Sequence, residues 1–412
     1  MFDLPCDYRD VNCPDEWIPR DGRLVRLTGR HPFNVEPPVA VLNATKFITP
    51  PSLHYVRNHG AVPQLQWETH TITVGGNCLP QSVTYTMDQI ASFPERELPV
   101  TLVCAGNRRK EQNMIRQTIG FNWGQCGVST NVWKGVLLRD ILLQAGVSEQ
   151  NMRGKHVEMV GVEDLPNKVG PGPFPDAQWG KLVKYGTSLP LARVMNPAYD
   201  VLIAYEANGE PLQPDRGYPV GVIIPGYIGG RMIKWLEEFN VLSHESENHY
   251  HYHHNKILPP HITAEKSLRG GWWYKPEYII NELNINSAMA KPDHNETLSI
   301  AKSIGQTYEV AGYTGGGRLI TRVEVSTDGG IHWELAELNV KERPTDYSMY
   351  WYWVWWSYAL PVAHLVGCSE TWCRASDESN NCQPMNPTWT LTGQDTNHAF
   401  RVKVHLDRTA AG

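Results

Sequence analysis

The segment LPVTLVCAGNRRK, from Leu98 to Lys110, combines an apolar run, a turn residue and a cluster of positive charge. Its apolar and β-branched residues, from Val100 to Val103, favour a buried β-strand. Gly106 then permits a sharp change of chain direction. The segment therefore predicts a core strand that ends at a cysteine, Cys104, with basic residues directly beyond it.

Strand-like and helical segments alternate on both sides of this strand. Thr71 to Gly75 alternates in hydrophobicity and predicts a strand, whereas apolar spacing in Lys134 to Val147 predicts a helix that stops at Gly146. Gly229 to Phe239 (GGRMIKWLEEF) predicts a short helix after a glycine turn. Residues 1–260 are therefore expected to form an α+β domain that begins with a proline-rich extended arm.

The chain after about residue 260 is almost wholly strand-like. Residues 307–338 consist of a strand, a glycine turn, an alternating strand, a DGG hairpin turn and another strand. The segments YWYWVWWSYALPV and FRVKVHL repeat the alternation. We expect residues 261–412 to form an all-β immunoglobulin-like sandwich, with the aromatic run Tyr350 to Tyr358 in its core or interface.

Composition limits the class of protein. Hydrophobic residues make up 41% and charged residues 19% of the chain, which is typical of a globular protein. The formal net charge of −6 argues against general nucleic-acid binding but leaves room for a local cationic pocket. No apolar run is long enough to cross a bilayer, and the N-terminus has no secretory pattern. The eight cysteines form no CxxC pair, which suits a reducing compartment, so a cytoplasmic protein is expected.

Cys104 is the first candidate functional residue. The basic residues at positions 108, 109 and 110 are expected to lower the pKa of its thiol and favour the thiolate. A thiolate can bind a soft metal or attack an electrophile. The alternative is a buried structural cysteine, and the residues alone leave these two interpretations equally weighted.

Three further stretches contain polar or charged side chains that could form a binding site or could have an ordinary structural role. PGYIGGRMIKWL, from Pro225 to Leu236, offers glycines and two cations that could surround a phosphate, or only a tight turn. Arg57 in HYVRNHG could bind an anion or form an ordinary salt bridge. The histidine-rich segment His244 to Lys256 is interpreted as a solvated loop and not as a zinc site.

Seven stretches taken in series resemble the sulfite oxidase family of molybdenum enzymes, and within it the eukaryotic assimilatory nitrate reductases. They are HPFNVEPP, VRNHG, TLVCAGNRRKE, GFNWG, KYGTSLPLARVMNP, PGYIGGRMIKWL and WWYKPEYIINELNIN, in the family's order. The resemblance implies a sulfite-oxidase-type molybdopterin-binding domain of α+β class, followed by an immunoglobulin-like dimerisation domain.

The resemblance also implies a set of site residues. Cys104 matches the family's molybdenum ligand, while Arg57, Arg109 and Trp123 match residues that shape the anion pocket. The residues expected to bind the molybdopterin are Tyr55, Arg57, Asn58, His59, Cys104, Glu163, Arg216, Arg231, Met232, Ile233 and Lys234. The chain departs from the family pattern at Arg216 and Gly221, where the family usually carries histidine and arginine.

The implied activity is molybdenum-dependent reduction of nitrate to nitrite, with sulfite oxidation as the alternative. Met232 in RMIKWL resembles nitrate reductases, since sulfite oxidases carry RHVKWL there. Thr392 stands where sulfite oxidases place a further pocket arginine, and one cation fewer suits a monoanion better than a dianion. A homodimer and a haem-domain electron donor are implied, with haem and FAD expected only on domains or partners absent from this chain. A non-enzymatic dimeric binding protein is the third alternative.

Overall fold

The computed structural model describes residues 6–148, 154–166, 182–299 and 305–407. The α-helices within these ranges are α1 Val39–Thr45, α2 Met87–Ala91, α3 Arg109–Ile115, α4 Leu138–Gln144, α5 Leu191–Met195, α6 His249–Tyr252 and α7 Ala264–Arg269. Short 3-10 turns lie at Tyr8–Asp10, Pro51–Leu53, Pro197–Tyr199, Pro214–Arg216, Gly229–Arg231, Trp272–Tyr274, Pro276–Tyr278 and Val362–Leu365. In this part of the chain, no helix is both long and apolar enough to span a membrane.

Three sheets form the first half of the molecule. Their strands are β1 Val25–Arg26, β2 Asn34–Glu36, β3 Val56–Arg57, β4 Thr71–Gly75, β5 Val83–Thr86, β6 Glu95–Val103, β7 Val128–Leu137, β8 His156–Pro166, β9 Leu182–Pro190, β10 Leu202–Ala207, β11 Glu210–Pro211, β12 Gly221–Ile223 and β13 Leu236–Leu242. The sheet orders are β1-β2-β3, β11-β10-β7-β6 with β12 also paired to β10, and β5-β4-β13-β8-β9. Together with the helices, they give the predicted α+β architecture.

The second half is a β-sandwich. Its strands are β14 Asn286–Lys291, β15 Glu296–Ser299, β16 Thr307–Gly315, β17 Ile320–Ser326, β18 Glu334–Leu335, β19 Glu337–Asn339, β20 Val354–Pro361, β21 Thr371–Asp377, β22 Phe400–Val402 and β23 Val404–Asp407. Two antiparallel four-stranded sheets, β14-β16-β20-β19 and β18-β17-β21-β22, bury Val310 and Trp356 of one sheet against Val323 and Ala375 of the other. The predicted sandwich and its aromatic core strand are confirmed.

Strand β6 fixes the position of the candidate cysteine. It pairs with β7 along its whole length, and its last residues are buried in the core. The strand ends at Val103, and Cys104 continues the contact by donating its N–H to the carbonyl oxygen of Gly127 at 2.9 Å. The predicted strand that ends at Cys104 is therefore confirmed.

The predicted helix over Lys134 to Val147 is shorter than expected. Residues 134–137 extend β7, because their backbone pairs with β6 and β10, and only Leu138–Gln144 is helical. Gly146 has a positive φ of 96°, which ends the helix as predicted. At Leu137, backbone pairing in the sheet outweighs the helical spacing of the apolar residues.

The predicted helix over Gly229 to Phe239 is wrong. Gly229–Arg231 forms a single 3-10 turn, and Trp235 has a positive φ of 52°, which a right-handed helix cannot continue. From Leu236 onward the chain pairs with β8 and, in parallel, with β4. A phosphate cradle at a helix N-terminus does not form here, although the segment keeps a position beside the cavity described below.

The N-terminal arm packs onto the first half of the molecule through a buried ion cluster. The guanidinium of Arg20 lies 3.1 Å from a carboxylate oxygen of Asp10 and 3.3 Å from those of Asp15 and Asp215. The Arg20 side chain is 1% exposed, and its guanidinium lies 3.6 Å from the centroid of the Phe33 ring. One arginine therefore contacts carboxylates from two distant parts of the sequence.

We expect Arg20→Ala to lower the free energy of unfolding by about 3–5 kcal/mol, because it removes a positive charge shared by three buried carboxylates. Urea unfolding measures the change. Arg23→Ala is the matched control, since the Arg23 side chain is 59% exposed and pairs with the neighbouring Asp21. Equal midpoints for the two variants would contradict the structural role given to Arg20.

A second ion pair, between Arg108 and Glu111 of the first half, contacts residues of the second half. Arg108 bonds to Glu111 at 2.6 Å and donates to the side-chain oxygen of Asn286 at 2.7 Å, while His398 Nε2 lies 3.0 Å from Glu111. Burial alone would raise the pKa of Glu111, but the charge and hydrogen bonds of Arg108, and then His398, lower that pKa to about 2. The ionised carboxylate is therefore part of the contact between the two halves.

This pKa predicts acid sensitivity. A carboxyl whose pKa falls from its usual 4.5 to about 2 stabilises the folded state above pH 4.5 and loses that contribution as pH falls towards 2. The stabilisation lost is up to about 3 kcal/mol, since a shift of one pKa unit corresponds to about 1.36 kcal/mol. We expect the unfolding free energy of Glu111→Gln to be lower than wild type at pH 6 and less dependent on pH between 4.5 and 2. If the unfolding free energies of wild type and Glu111→Gln changed with pH by equal amounts over this range, the prediction would be contradicted.

Candidate active site

A cavity of about 330 Å³ opens beside the end of β6. Most of the predicted site residues line it, although they come from distant parts of the chain. The predicted residues in its wall are Tyr55, Arg57, His59, Cys104, Arg109, Trp123, Glu163, Arg216, Met232, Ile233 and Lys234. The fold therefore brings together the strand end, the Gly229–Lys234 segment and the Arg57 stretch.

Asn58 and Arg231 do not line the cavity but brace its wall from behind. The amide oxygen of Asn58 accepts a hydrogen bond from Lys234 Nζ. The guanidinium of Arg231 donates to the Ile280 carbonyl oxygen and to Thr187 Oγ1, both at 3.1 Å, and its side chain is fully buried. These bonds occupy its Nε and Nη1, whereas its Nη2 has no hydrogen-bond partner among the described residues, so cofactor contact through Arg231 stays a prediction.

The electrostatic environment of Cys104 differs from the prediction. Burial raises the pKa of its thiol, and Arg109 and Arg57 only partly oppose this effect. Of the basic triplet, Arg108 turns to the second half of the molecule and Lys110 is exposed, so that Arg109 alone faces the cavity. The expectation of a lowered pKa is wrong, because two of the three charges point elsewhere. A positively charged metal ion would itself favour the thiolate.

Two arginines and an aromatic pair form one end of the cavity. The guanidinium carbons of Arg57 and Arg109 lie 5.4 and 5.9 Å from the centroid of the Phe121 ring. The Phe121 and Trp123 rings are 5.7 Å apart, and Trp123 is fully buried. Burial lowers the pKa of both arginines, to about 10 for Arg109. This end therefore offers two desolvated cations beside Cys104, which is suited to a small oxyanion.

A second group of charges lines the cavity around Lys234. Lys234 Nζ donates to the Asp215 carbonyl oxygen at 3.0 Å, and burial lowers the pKa of this lysine to about 8, against the attraction of Glu163. Burial raises the pKa of Glu163 to about 7, against the attraction of Lys234. Arg216 donates to the His54 carbonyl oxygen at 2.8 Å. Such a cluster is suited to a phosphate and a polar ring system.

The two departures from the family pattern both lie at the cavity. Arg216 is in the wall with its guanidinium tied to backbone oxygens and to Asp215. Gly221 also lines the cavity, and a Cβ there would lie 3.0 Å from the Ile233 carbonyl oxygen. A larger residue at position 221 would therefore require this backbone to shift.

Several cavity residues were not identified as site residues from the sequence. They are His54, Phe121, His253, His254, Asn255 and Gln394. The prediction that the histidine-rich segment is a solvated loop is wrong, since His251 and His253 are buried and the segment contains α6. Its alternation of histidine with tyrosine was the available signal, because such rings pack readily against one another, as His254 and Tyr250 do at 4.8 Å.

The cavity can be tested for its fit to a metal–pterin group. Four of its buried polar atoms have no hydrogen-bond partner among the described residues: His54 Nε2, Glu163 Oε2, Arg216 Nε and Gln394 Oε1. Buried polar atoms of this kind are rare unless a further group binds them. Its arginines and lysine outnumber its acids by four to two. The described residues contain no cluster of three or more metal-ligating side chains. The Cys104 thiol, the unpaired polar atoms and the excess of cations fit a metal carried by an organic anion.

Comparison with known proteins agrees with this geometry. Residues 59–250 match the family model described as "Oxidoreductase molybdopterin binding domain", and residues 277–407 match "Mo-co oxidoreductase dimerisation domain". Among solved structures, the chain is similar to the sulfane dehydrogenase SoxCD from Paracoccus pantotrophus, with a TM-score of 0.67 and 19% identity, over 92% of this chain and 86% of that one. At that identity the likeness concerns the fold alone, and it confirms the predicted fold class.

Curated relatives are much closer in sequence. The chain is 50% identical over 410 residues to "Nitrate reductase [NAD(P)H]" of Hordeum vulgare and 49% identical to "Nitrate reductase [NADH]" of Lotus japonicus. Each alignment covers 98% of this chain but only 44% of the relative, so the chain spans less than half of their length. The predicted resemblance is confirmed, and the chain belongs to the family of molybdopterin-binding oxidoreductases that carry a Mo-co dimerisation domain.

Proposed function

We propose that this chain is the molybdenum-containing catalytic portion of a nitrate reductase and reduces nitrate to nitrite in nitrate assimilation. The observation that carries the proposal is the position of Arg57 and Arg109 in the same cavity as the Cys104 thiol. The chain is 48% and 50% identical to two enzymes named as nitrate reductases, and this supports nitrate as the oxyanion.

The same wall would hold the cofactor. Cys104 would bind the molybdenum, and Lys234 and Arg216 would hold the pterin phosphate with the backbone of Met232 and Ile233. Glu163, whose pKa is raised by burial, would accept or share a proton with a polar ring edge. Tyr55 and His59 line the wall beside these groups, while Asn58 and Arg231 brace it.

Nitrate reduction consumes two electrons and two protons and releases nitrite and water. When bound, the molybdenum group would supply the oxygen-atom transfer and hold the electrons between turnovers. The residues of the chain do the rest: Arg57 and Arg109 bind and orient the anion, and the Phe121 and Trp123 rings exclude water around it. Because both guanidinium groups are desolvated, their attraction for the anion exceeds that of exposed arginines.

Sulfite oxidation is the second candidate, since the fold is of sulfite-oxidase type. Thr392 is a neutral residue in the cavity wall, and its hydroxyl donates to the Lys256 carbonyl oxygen at 2.7 Å. One cation fewer at this end weakens the attraction for the doubly charged sulfite more than that for the singly charged nitrate. Met232 also lines the cavity and agrees with the nitrate-reducing pattern.

We further propose a homodimer formed through the second domain, a haem-carrying domain or partner as electron donor, and a cytoplasmic location. The dimer is supported by the family of the second domain. All eight cysteines are unpaired, as is usual in a reducing compartment. We place the boundary between the two domains near residue 260, between the end of β13 and the start of β14.

A paired assay tests the function. Protein loaded with molybdenum cofactor is given a reduced viologen with nitrate, and separately sulfite with an artificial electron acceptor. We expect nitrite formation in the first assay to exceed sulfite oxidation in the second by a wide margin. Sulfite turnover without nitrite formation would overturn the proposed substrate. Protein that binds no molybdenum would instead favour a non-enzymatic binding protein.

A further inference from the structure

A loop of the second domain packs directly against the residues that form the cavity. This loop, residues 389–398, is here called the closing loop. Its Leu391 carbonyl oxygen accepts a hydrogen bond from the Ile119 N–H at 3.0 Å, and its Asp395 N–H donates to the Ala105 carbonyl oxygen at 2.8 Å. Ala105 follows Cys104 directly in the sequence. The closing loop is therefore bonded both to the cysteine turn and to the segment after α3.

Helix α3, which begins at Arg109, is also bonded to the closing loop. Gln112 Nε2 donates to Thr396 Oγ1 at 3.0 Å, and Gln112 Oε1 accepts from the Thr390 N–H at 3.0 Å. Gln112 is buried, so these bonds are not exposed to competition from water. The first turn of α3 and the closing loop are consequently fixed relative to each other.

The guanidinium of Arg109 is held by one carbonyl oxygen from each domain. Its Nε donates to the Thr392 carbonyl oxygen at 2.9 Å, and its Nη1 donates to the Phe121 carbonyl oxygen at 3.2 Å. A guanidinium has five N–H donors, so these two bonds leave donors for an anion in the cavity. The bond to Thr392 specifies which edge of the planar group is used for the protein and which remains available.

The absence of a side chain at Gly393 leaves space for the Arg109 side chain. Gly393 has a positive φ of 57°, and a Cβ there would lie 2.8 Å from Arg109 Cγ and 2.8 Å from Thr118 Cγ2. Such distances are too short for carbon atoms, whose contacts are optimal near 3.5–4.0 Å. Because Arg109 Cγ is close to the backbone, a shift of the arginine that relieves this overlap also moves its guanidinium.

We propose that Thr392 and Gly393 are positioning residues for Arg109: the second domain sets the position of the anion-binding guanidinium of the first. The Thr392 carbonyl fixes its orientation, and the absence of a side chain at position 393 leaves the path of its alkyl stem clear. The proposal rests on the assignment of Arg109 to the anion site under the proposed function. It gives the closing loop a role in substrate affinity that is separate from dimerisation.

The test is Gly393→Ala in the cofactor-loaded protein. We expect the KM for nitrate to rise about tenfold or more, as for a weakened charge-assisted hydrogen bond, with a much smaller change in kcat. Gly367→Ala is the matched control, because Gly367 lies in the same domain, has a positive φ of 84°, and has room for a Cβ with no other atom within 4 Å. It should show the same backbone strain with an unchanged KM.

Two further measurements separate positioning from general damage. In an Arg109→Ala background, Gly393→Ala should leave the KM unchanged, since its effect acts through Arg109. A crystal structure of Gly393→Ala should show the Arg109 guanidinium displaced from the Thr392 carbonyl oxygen. A normal KM with an undisplaced arginine would overturn the proposal, as would an equal KM increase in the Arg109→Ala background. If the arginine is displaced in a protein that reduces no nitrate, the positioning role stands and the proposed substrate fails.

Discussion

Cys104→Ser is expected to reduce turnover by more than about 100-fold, because even the residues that only orient a metal ligand contribute 10- to 100-fold. The serine hydroxyl is a hard donor that stays protonated at neutral pH, whereas molybdenum in this cavity would be held by a soft thiolate. The change is small in volume and lies at the end of the paired strand β6, so the fold should persist. Turnover, molybdenum content per chain and thermal midpoint are measured together.

Cys78→Ser is the matched control for this prediction. Cys78 is half-buried like Cys104, lies in the same half of the molecule and donates its thiol hydrogen to the Asn77 side-chain oxygen at 3.2 Å, away from the cavity. It should retain both metal and activity. Full turnover in Cys104→Ser would show that this thiol is not the ligand, and a collapse of the thermal midpoint would point to a packing role instead.

Arg57→Ala is expected to raise the KM for nitrate about 10- to 150-fold, which corresponds to the 1.5–3 kcal/mol typical of hydrogen bonds to charged groups. The guanidinium lines the cavity near Phe121 and Cys104, and its loss would leave Arg109 as the nearest cation. Initial rates over a range of nitrate concentrations give KM and kcat separately. Arg322→Ala, with a side chain that is 45% exposed in the second domain, is the control.

The same variant should lose little stability. Burial lowers the pKa of Arg57, which means that the folded environment disfavours its charge relative to water. Removing the charge therefore removes the cost of burying it, which offsets the lost hydrogen bonds to Asn34 Oδ1 and to the Asn58 carbonyl oxygen. Thermal unfolding of the cofactor-free protein is the measurement. A large loss of stability together with an unchanged KM would assign Arg57 to the structure and not to the substrate site.

Local sequence patterns predicted the strands better than the helices. The apolar run before Cys104 and the alternation in β17 and β20 follow from side-chain burial on one or two faces, which the sequence displays directly. Residues 134–137 and 229–239 were wrongly predicted as helical. Residues 134–137 pair with β10, and the chain from Leu236 onward pairs with β8, although both partner strands are distant in sequence. Local spacing cannot indicate that such a partner exists.

In the candidate site, too, the sequence indicated local features but not contacts between distant residues. Cys104, Arg57 and Lys234 were found through motifs, but only the fold determines which neighbours face the cavity. Arg108 follows Cys104 closely, yet it bonds to Asn286 in the second domain, so its charge was wrongly assigned to the thiol. The histidine-rich segment was misjudged for a related reason, since aromatic packing around His254 and Tyr250 depends on residues brought from elsewhere.

The bond between Arg109 and Thr392 joins residues separated by 283 positions, and this has a consequence for the newly made chain. A ribosome that adds about 5–20 residues per second needs roughly 15–60 s to reach Thr392 after it has added Arg109. During that interval β6, its cysteine and α3 can already be outside the ribosome, while the wall supplied by the closing loop does not yet exist. The part of the cavity wall formed by Thr392 and Gln394 is therefore completed only after the second domain has been synthesised.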